Sequence, residues 1–268
     1  FVTGADIAKA MTNQLNRKFG DEKNFDMATD GLFTMRFDGA NATQVDMTTS
    51  LPRVEKVVFS DATAAGSVTF GGVTVAVTAA DTAATIATNV SAALAASAYI
   101  TGTVGRSVVD NGDGSFTITY ATADENTVPE NGVPSDVTGT SVAKQTIHDY
   151  YDPSASSVEG TVDAMQRKLD TLLDGTGYSV MVGYDRAKKG FTFKEDAGAT
   201  ITLAGGTIAA PDANDVMGLT STETTVSETG YYTSTTDVTP NGSSLRNSAD
   251  QRFGIRVTFD NTTEKFTI

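Results

Sequence analysis

The sequence predicts an α+β protein, mainly antiparallel β, built as two or three small β-rich domains, each with a short amphipathic helix packed on hairpins. Two observations carry that expectation. Short runs in which apolar residues alternate with Thr, Ser or charged residues are bounded by Gly, Asn-Gly or Asp-Gly, as half-buried strands joined by tight turns require. A second pattern occurs three times, an amphipathic helix followed by a hairpin: 6–19 with 31–37 and 43–50, 82–97 with 99–109 and 115–121, and 161–174 with 178–184 and 190–194.

Each element follows from its own pattern. Ile7, Met11, Leu15 and Phe19 recur every fourth residue as one apolar stripe, and Gly20 stops the helix. Phe33, Met35 and Phe37 alternate with Thr34 and Arg36, Asp38-Gly39 turns the chain, and Val45 and Met47 continue the alternation. Leu51-Pro52-Arg53 breaks the pattern. Beyond it, 57–59 reads as a strand, and 68–70 and 73–77 flank Gly71-Gly72 as a two-residue hairpin. Asp81 or Thr82 caps a helix whose apolar positions are Ile86, Val90, Ala93 and Leu94. Residues 99–109 read as a strand, 110–114 as a turn and 116–120 as the returning strand.

The stretch 124–141 has loop composition and reads as a connection back towards the first domain. This makes 54–142 an inserted hairpin–helix–hairpin domain, while 1–53 with 143–268 forms the β-rich outer domain or domains, with helices near 6–19 and 161–174. The third helix has the cleanest stripe, Val162, Met165, Leu169, Leu172 and Leu173, and Gly175 and Gly177 end it. Val180 and Val182 pair with Phe191 and Phe193 across a turn near 186–189, and Ile201 and Leu203 make a further strand. Residues 220–250, rich in Thr, Ser, Asn and Gly, read as an exposed excursion, and 253–268 as a closing hairpin.

Composition excludes several functions. The chain has 33 acids against 19 bases, a formal net charge of -14, so it lacks the cationic surface that nucleic acid or an anionic membrane needs. It has no cysteine, which removes disulfides, thiolate metal sites and cysteine catalysis. No apolar run approaches the roughly 18 residues of a membrane helix. The chain opens on Phe1 and closes on an alternating strand, and it is read as an internal piece of a larger protein.

The motifs with chemical potential all have simpler readings. His148 is the only histidine, and neither a nucleophile elbow nor a partner accompanies it in sequence. The run 110–115 has Asp110 and Asp113, but Gly112 and Gly114 fall where calcium ligands would stand, so a hairpin turn is expected. Gly71-Gly72 and Gly205-Gly206 lack the lysine and the strand-to-helix setting of a phosphate loop. No catalytic, cofactor-binding or metal-ligating residue is assigned, no cofactor is expected, and the chain reads as a structural protein, not an enzyme.

Three stretches resemble the exposed region of bacterial flagellar hook proteins. They are Gly4-Ala5-Asp6-Ile7-Ala8-Lys9-Ala10-Met11 running on to Asn24-Phe25-Asp26, Tyr178-Ser179-Val180 through Gly190-Phe191-Thr192-Phe193, and Asp212-Ala213-Asn214-Asp215-Val216-Met217-Gly218-Leu219. The middle block, Gly71-Gly72-Val73-Thr74-Val75 with Asp81-Thr82-Ala83-Ala84-Thr85, looks like modules of phage tail and large surface proteins. The resemblance implies an extracellular structural protein of the flagellar hook. It would contact copies of itself in a helical tube, and hook-cap and hook-associated proteins. It would be monomeric without the terminal helices that build the tube. Two other readings stay open: the outer region of a flagellin or hook-associated protein, or a carbohydrate-binding or adhesive module using Tyr150 with Tyr151, or Tyr231 with Tyr232, as platforms.

Overall fold

The computed structural model describes residues 7, 11, 25–28, 31–125, 127, 129, 132–185, 190–195, 198–210, 217–226, 258–260 and 265–267. The fold is α+β, with mostly antiparallel sheets and few, short helices. Ile7 and Met11 are helical, and the rest of the predicted helix 6–19 lies outside the described residues, as do residues 227–250 of the predicted excursion 220–250 and 253–257 of the predicted closing hairpin. The chain divides into two compact units, Phe1–Thr49 with Pro153–Ile268, and Ser50–Asp152.

In the first unit, strands β1 (Leu32–Phe37) and β2 (Thr43–Asp46) form a hairpin around Asp38-Gly39. Both turn residues have positive φ, +45° and +73°, and the Ala40 amide closes the turn on the Phe37 carbonyl at 2.7 Å. Phe33, Met35 and Phe37 are buried, as their alternation requires. Helix α3 (Val158–Leu173) starts at Ser157, whose hydroxyl accepts from the Gly160 amide, and buries Thr161, Ala164, Met165, Leu169 and Leu173. It precedes the hairpin of β9 (Val180–Asp185) and β10 (Gly190–Glu195). One side chain fixes helix to strand: Gln166 donates to the Val180 carbonyl at 2.7 Å and accepts from the Val182 amide at 2.8 Å. Its amide thus satisfies strand groups that a neighbouring strand would otherwise pair.

Strand β11 (Ile201–Gly205) pairs with β1 and with β12 (Thr224–Thr225), giving the order β12-β11-β1-β2. The aromatic residues of this unit pack in pairs. Phe25 lies 5.1 Å from Phe191, Phe33 lies 6.2 Å from Phe193, and Phe37 stacks on Tyr178 at 4.4 Å. A last hairpin joins β13 (Thr258–Asp260) to β14 (Lys265–Thr267).

In the second unit, β3 (Val54–Phe59) is three residues longer at its start than the predicted strand. Hairpin β4 (Gly66–Phe70) and β5 (Val73–Val77) turns on Gly71-Gly72, both at positive φ. Helix α1 (Ala83–Ala95) is capped by Thr82, whose hydroxyl accepts from Thr85, while Asp61 accepts from the Ala83 amide. Asp81, the other predicted cap, closes the preceding turn on Thr78. The stripe Ile86, Val90 and Leu94 is fully buried against Val57, Phe59, Val68, Phe70, Phe116 and Ile118. Burying each such side chain stabilises the unit by about 1.5–3 kcal/mol.

Three sequence expectations change here. Residues 99–109 are not one strand: helix α2 (Ala98–Thr101) comes first, then β6 (Ser107–Asp110). A strand would point Tyr99 and Ile100 to opposite faces, whereas one helical turn buries both, and Phe70 meets the Tyr99 ring edge-on at 6.1 Å. Residues 124–141 do not leave the unit. After a short 3₁₀ turn (Thr122–Asp124) the chain runs beside β4, bonding Thr138 to Ser67 and pairing Ser135 with Thr69 in both directions. Strand β8 (Val142–His148), which the sequence reading leaves in the outer domain, pairs along the whole of β3. With β7 (Ser115–Thr119) the sheet order is β6-β7-β3-β8, every neighbour antiparallel. The chain enters and leaves this unit side by side, with Leu51 and Tyr151 exchanging backbone hydrogen bonds of 3.2 and 3.0 Å.

Candidate functional site

A cluster of charged groups lies inside the second unit, and strand parity creates it. Glu55 shares the inner face of β3 with Val57 and Phe59, so its carboxylate enters the core, where it is 2% exposed. Three donors meet it. Arg53 reaches Oε1 at 2.7 Å, Lys144 of β8 reaches Oε2 at 2.6 Å, and the Tyr120 hydroxyl donates to Oε2 at 2.7 Å. Lys144 also donates to the Gly132 carbonyl, and Arg53 to the Thr146 hydroxyl. The network therefore ties β3, β8 and the end of β7 together.

Electrostatics keep these groups in one protonation state. Burial pushes the Glu55 carboxyl up, but the Lys144 and Tyr120 hydrogen bonds and the charges of Lys144 and Arg53 outweigh it and hold the group below the usual carboxylate range. Burial, and then the neighbouring Glu55 carboxylate, push the Tyr120 phenol far up, so it acts only as a neutral donor. Beside it, Arg106 forks onto Asp124 at 2.8 and 2.6 Å and donates to the Tyr99 carbonyl. Its guanidinium sits 4.6 Å above the Tyr99 ring. The Arg106 bond holds the Asp124 carboxyl low, and burial pushes the Tyr99 phenol up to about 12.

Chemically this is a brace. A general acid or base needs a proton affinity near the working pH, and here the carboxylate is held charged and the phenol neutral. In the first unit, Lys168 of α3 donates to the Asp46 carbonyl and, at 2.6 Å, to the Thr49 hydroxyl, and burial pushes its ammonium below its ordinary range. That lysine too has its donors committed to neighbours.

The residues singled out in the sequence fall elsewhere. His148 ends β8, opposite Val54 and half-buried. The run 110–115 forms the β6–β7 turn, with Asp110 accepting from Thr88 and Gly112, and Asp113 from Lys56 and Ser115. Tyr151 is 1% exposed, so Tyr150 and Tyr151 do not form a shared surface platform, while Tyr231 and Tyr232 lie outside the described residues. Sequence reasoning missed Glu55 because it began the strand at Val57. The alternation of residues 55, 57 and 59 was the available signal. Comparison with known proteins finds no matching family model, no matching curated protein and no matching solved structure.

Proposed function

We propose that this chain forms the outward-facing domains of a bacterial flagellar hook subunit, an extracellular structural protein of a motility appendage. Its partners on this reading are copies of itself in a helical tube, together with hook-cap and hook-associated proteins. One observation carries the reading. The sequence phrases that resemble hook proteins come from distant parts of the chain, yet six of their apolar residues, Phe25, Val180, Phe191, Phe193, Met217 and Leu219, are buried in one unit, while Ile7 and Met181 are exposed. Their common burial in one unit supports reading the phrases together. The ionic braces of the second unit suit a part that bears load, because they cross-link strands and leave no reactive group poised.

The test is immunogold electron microscopy of flagella from the source cells, using antibodies raised against this chain. Label along the hook supports the proposal. Label on the filament or at the hook–filament junction moves the chain to a flagellin or a hook-associated protein. No label on any part of the flagellum refutes the reading.

A further inference from the structure

Four exposed large apolar side chains are described in the second unit, and three of them stand on or beside the two free edges of one sheet. Val109, 59% exposed, stands on edge strand β6, and Val104, 98% exposed, sits on the loop that leads into it. Ile147, 43% exposed, stands on the opposite edge strand β8. Scattered apolar residues on a surface need no explanation, but their concentration at both open edges of a sheet does.

We propose that these edges are an interface between copies of this chain, with β6 of one copy adding to β8 of the next. Strand polarity supports it. Every neighbour in the order β6-β7-β3-β8 is antiparallel, so β6 and β8 run in opposite directions. A copy displaced sideways along the sheet therefore presents its β6 antiparallel to β8 and continues the up-and-down pattern. Charge supports the same pairing over its alternatives. Around β8 and β3 two cations, Arg53 and Lys144, surround the single carboxylate of Glu55 and leave net positive charge, whereas β6 carries Asp110 and no base. Joining β8 to β8 or β6 to β6 would set like groups together. The apolar residues then meet across the join, Val109 and Val104 from one copy against Ile147 of the other.

The join is heterologous, since different surfaces meet, and each added copy leaves a free β6 and a free β8 at the ends. With the natural twist between strands, such a contact propagates as an open helical array instead of closing as a dimer. Strand β6 has only four residues, so one join is weak and needs the high local concentration of an assembly. The meaning of the contact as a subunit joint in a tube rests on the hook reading above; the contact itself does not.

The chain has no cysteine, so engineered thiols report alone. Val109→Cys and Ile147→Cys are made singly and together and cross-linked with a short bis-maleimide at about 1 mM protein, the concentration range of a tethered contact. The expected result is a ladder of dimers, trimers and larger species from the double variant, and dimers from a mixture of the two single variants at several times the yield of either alone. Adding Val104→Lys, an edge-blocking charge, to the double variant cuts the ladder by about fivefold or more. Equal dimer yield from the single variants and the mixture, or no ladder, overturns the proposal. A ladder without immunogold label on flagella removes the hook reading and keeps the contact, and label without a ladder does the reverse.

Discussion

Glu55→Gln is the sharpest probe of the second unit. The substitution keeps shape and the Tyr120 hydrogen bond but removes the negative charge between Arg53 and Lys144. Breaking one member of a fully buried pair costs about 3–5 kcal/mol. Here the two cationic side chains are 19% and 20% exposed, so water recovers part of that, and about 2–4 kcal/mol is the expected loss. The two units need not unfold together, so a single melting curve is the wrong assay. Amide hydrogen exchange at pH 7 resolves them: the protected amides of β3 and β7 are expected to exchange about 30- to 700-fold faster, at tenfold per 1.4 kcal/mol, while those of β1 and β11 keep their rates.

The pH dependence provides the sign. Because the Glu55 carboxyl is held below its ordinary value of 4.5 in the fold, its contribution is present above that value and is lost as pH falls through the lower folded value. The difference between wild type and variant should therefore shrink as the solution is acidified below about pH 4.5. A change under about fivefold at pH 7, a change equal in both units, or a difference that grows on acidification would refute the brace.

Three further predictions follow the same logic. Gly71 has φ +58°, and a Cβ there would meet Leu94 Cδ2 at 2.6 Å and the Tyr99 ring at 2.9 Å, whereas Gly72 at +77° faces open space. Gly71→Ala should therefore cost about 2–4 kcal/mol and Gly72→Ala only about 1, read from exchange of the α1 amides. Gln166→Ala removes both bonds that dock α3 to β9 and should cost about 1–3 kcal/mol, with the Val182 amide losing protection first. Thr82→Ala deletes the α1 cap and should cost about 1 kcal/mol, with fraying confined to the first turn of the helix in exchange data.

Much of the fold was legible locally. The stripe of α1, the stripe of α3 apart from Leu172, which is 41% exposed, and half-buried Val162, the Asp38-Gly39 and Gly71-Gly72 turns and the alternation of β1 and β10 depend on neighbours a few residues apart, where side-chain period and backbone φ settle the outcome. The fold class follows from those elements together. The Glu55 brace was half legible. Parity put a carboxylate on the inner face of β3, but nothing near it in sequence announced Lys144, which arrives from a strand some ninety residues later.

What sequence alone determined was therefore the kind of element at most places and the composition itself, with no cysteine and 33 acids against 19 bases. Tertiary structure decided which elements meet. It turned 98–101 into a helix, because one turn buries Tyr99 and Ile100 on the same side. It kept 132–148 within the second unit, because β3 needed a second neighbour and its buried carboxylate needed a cation. Those outcomes depend on desolvation and pairing between distant residues, which local pattern does not encode.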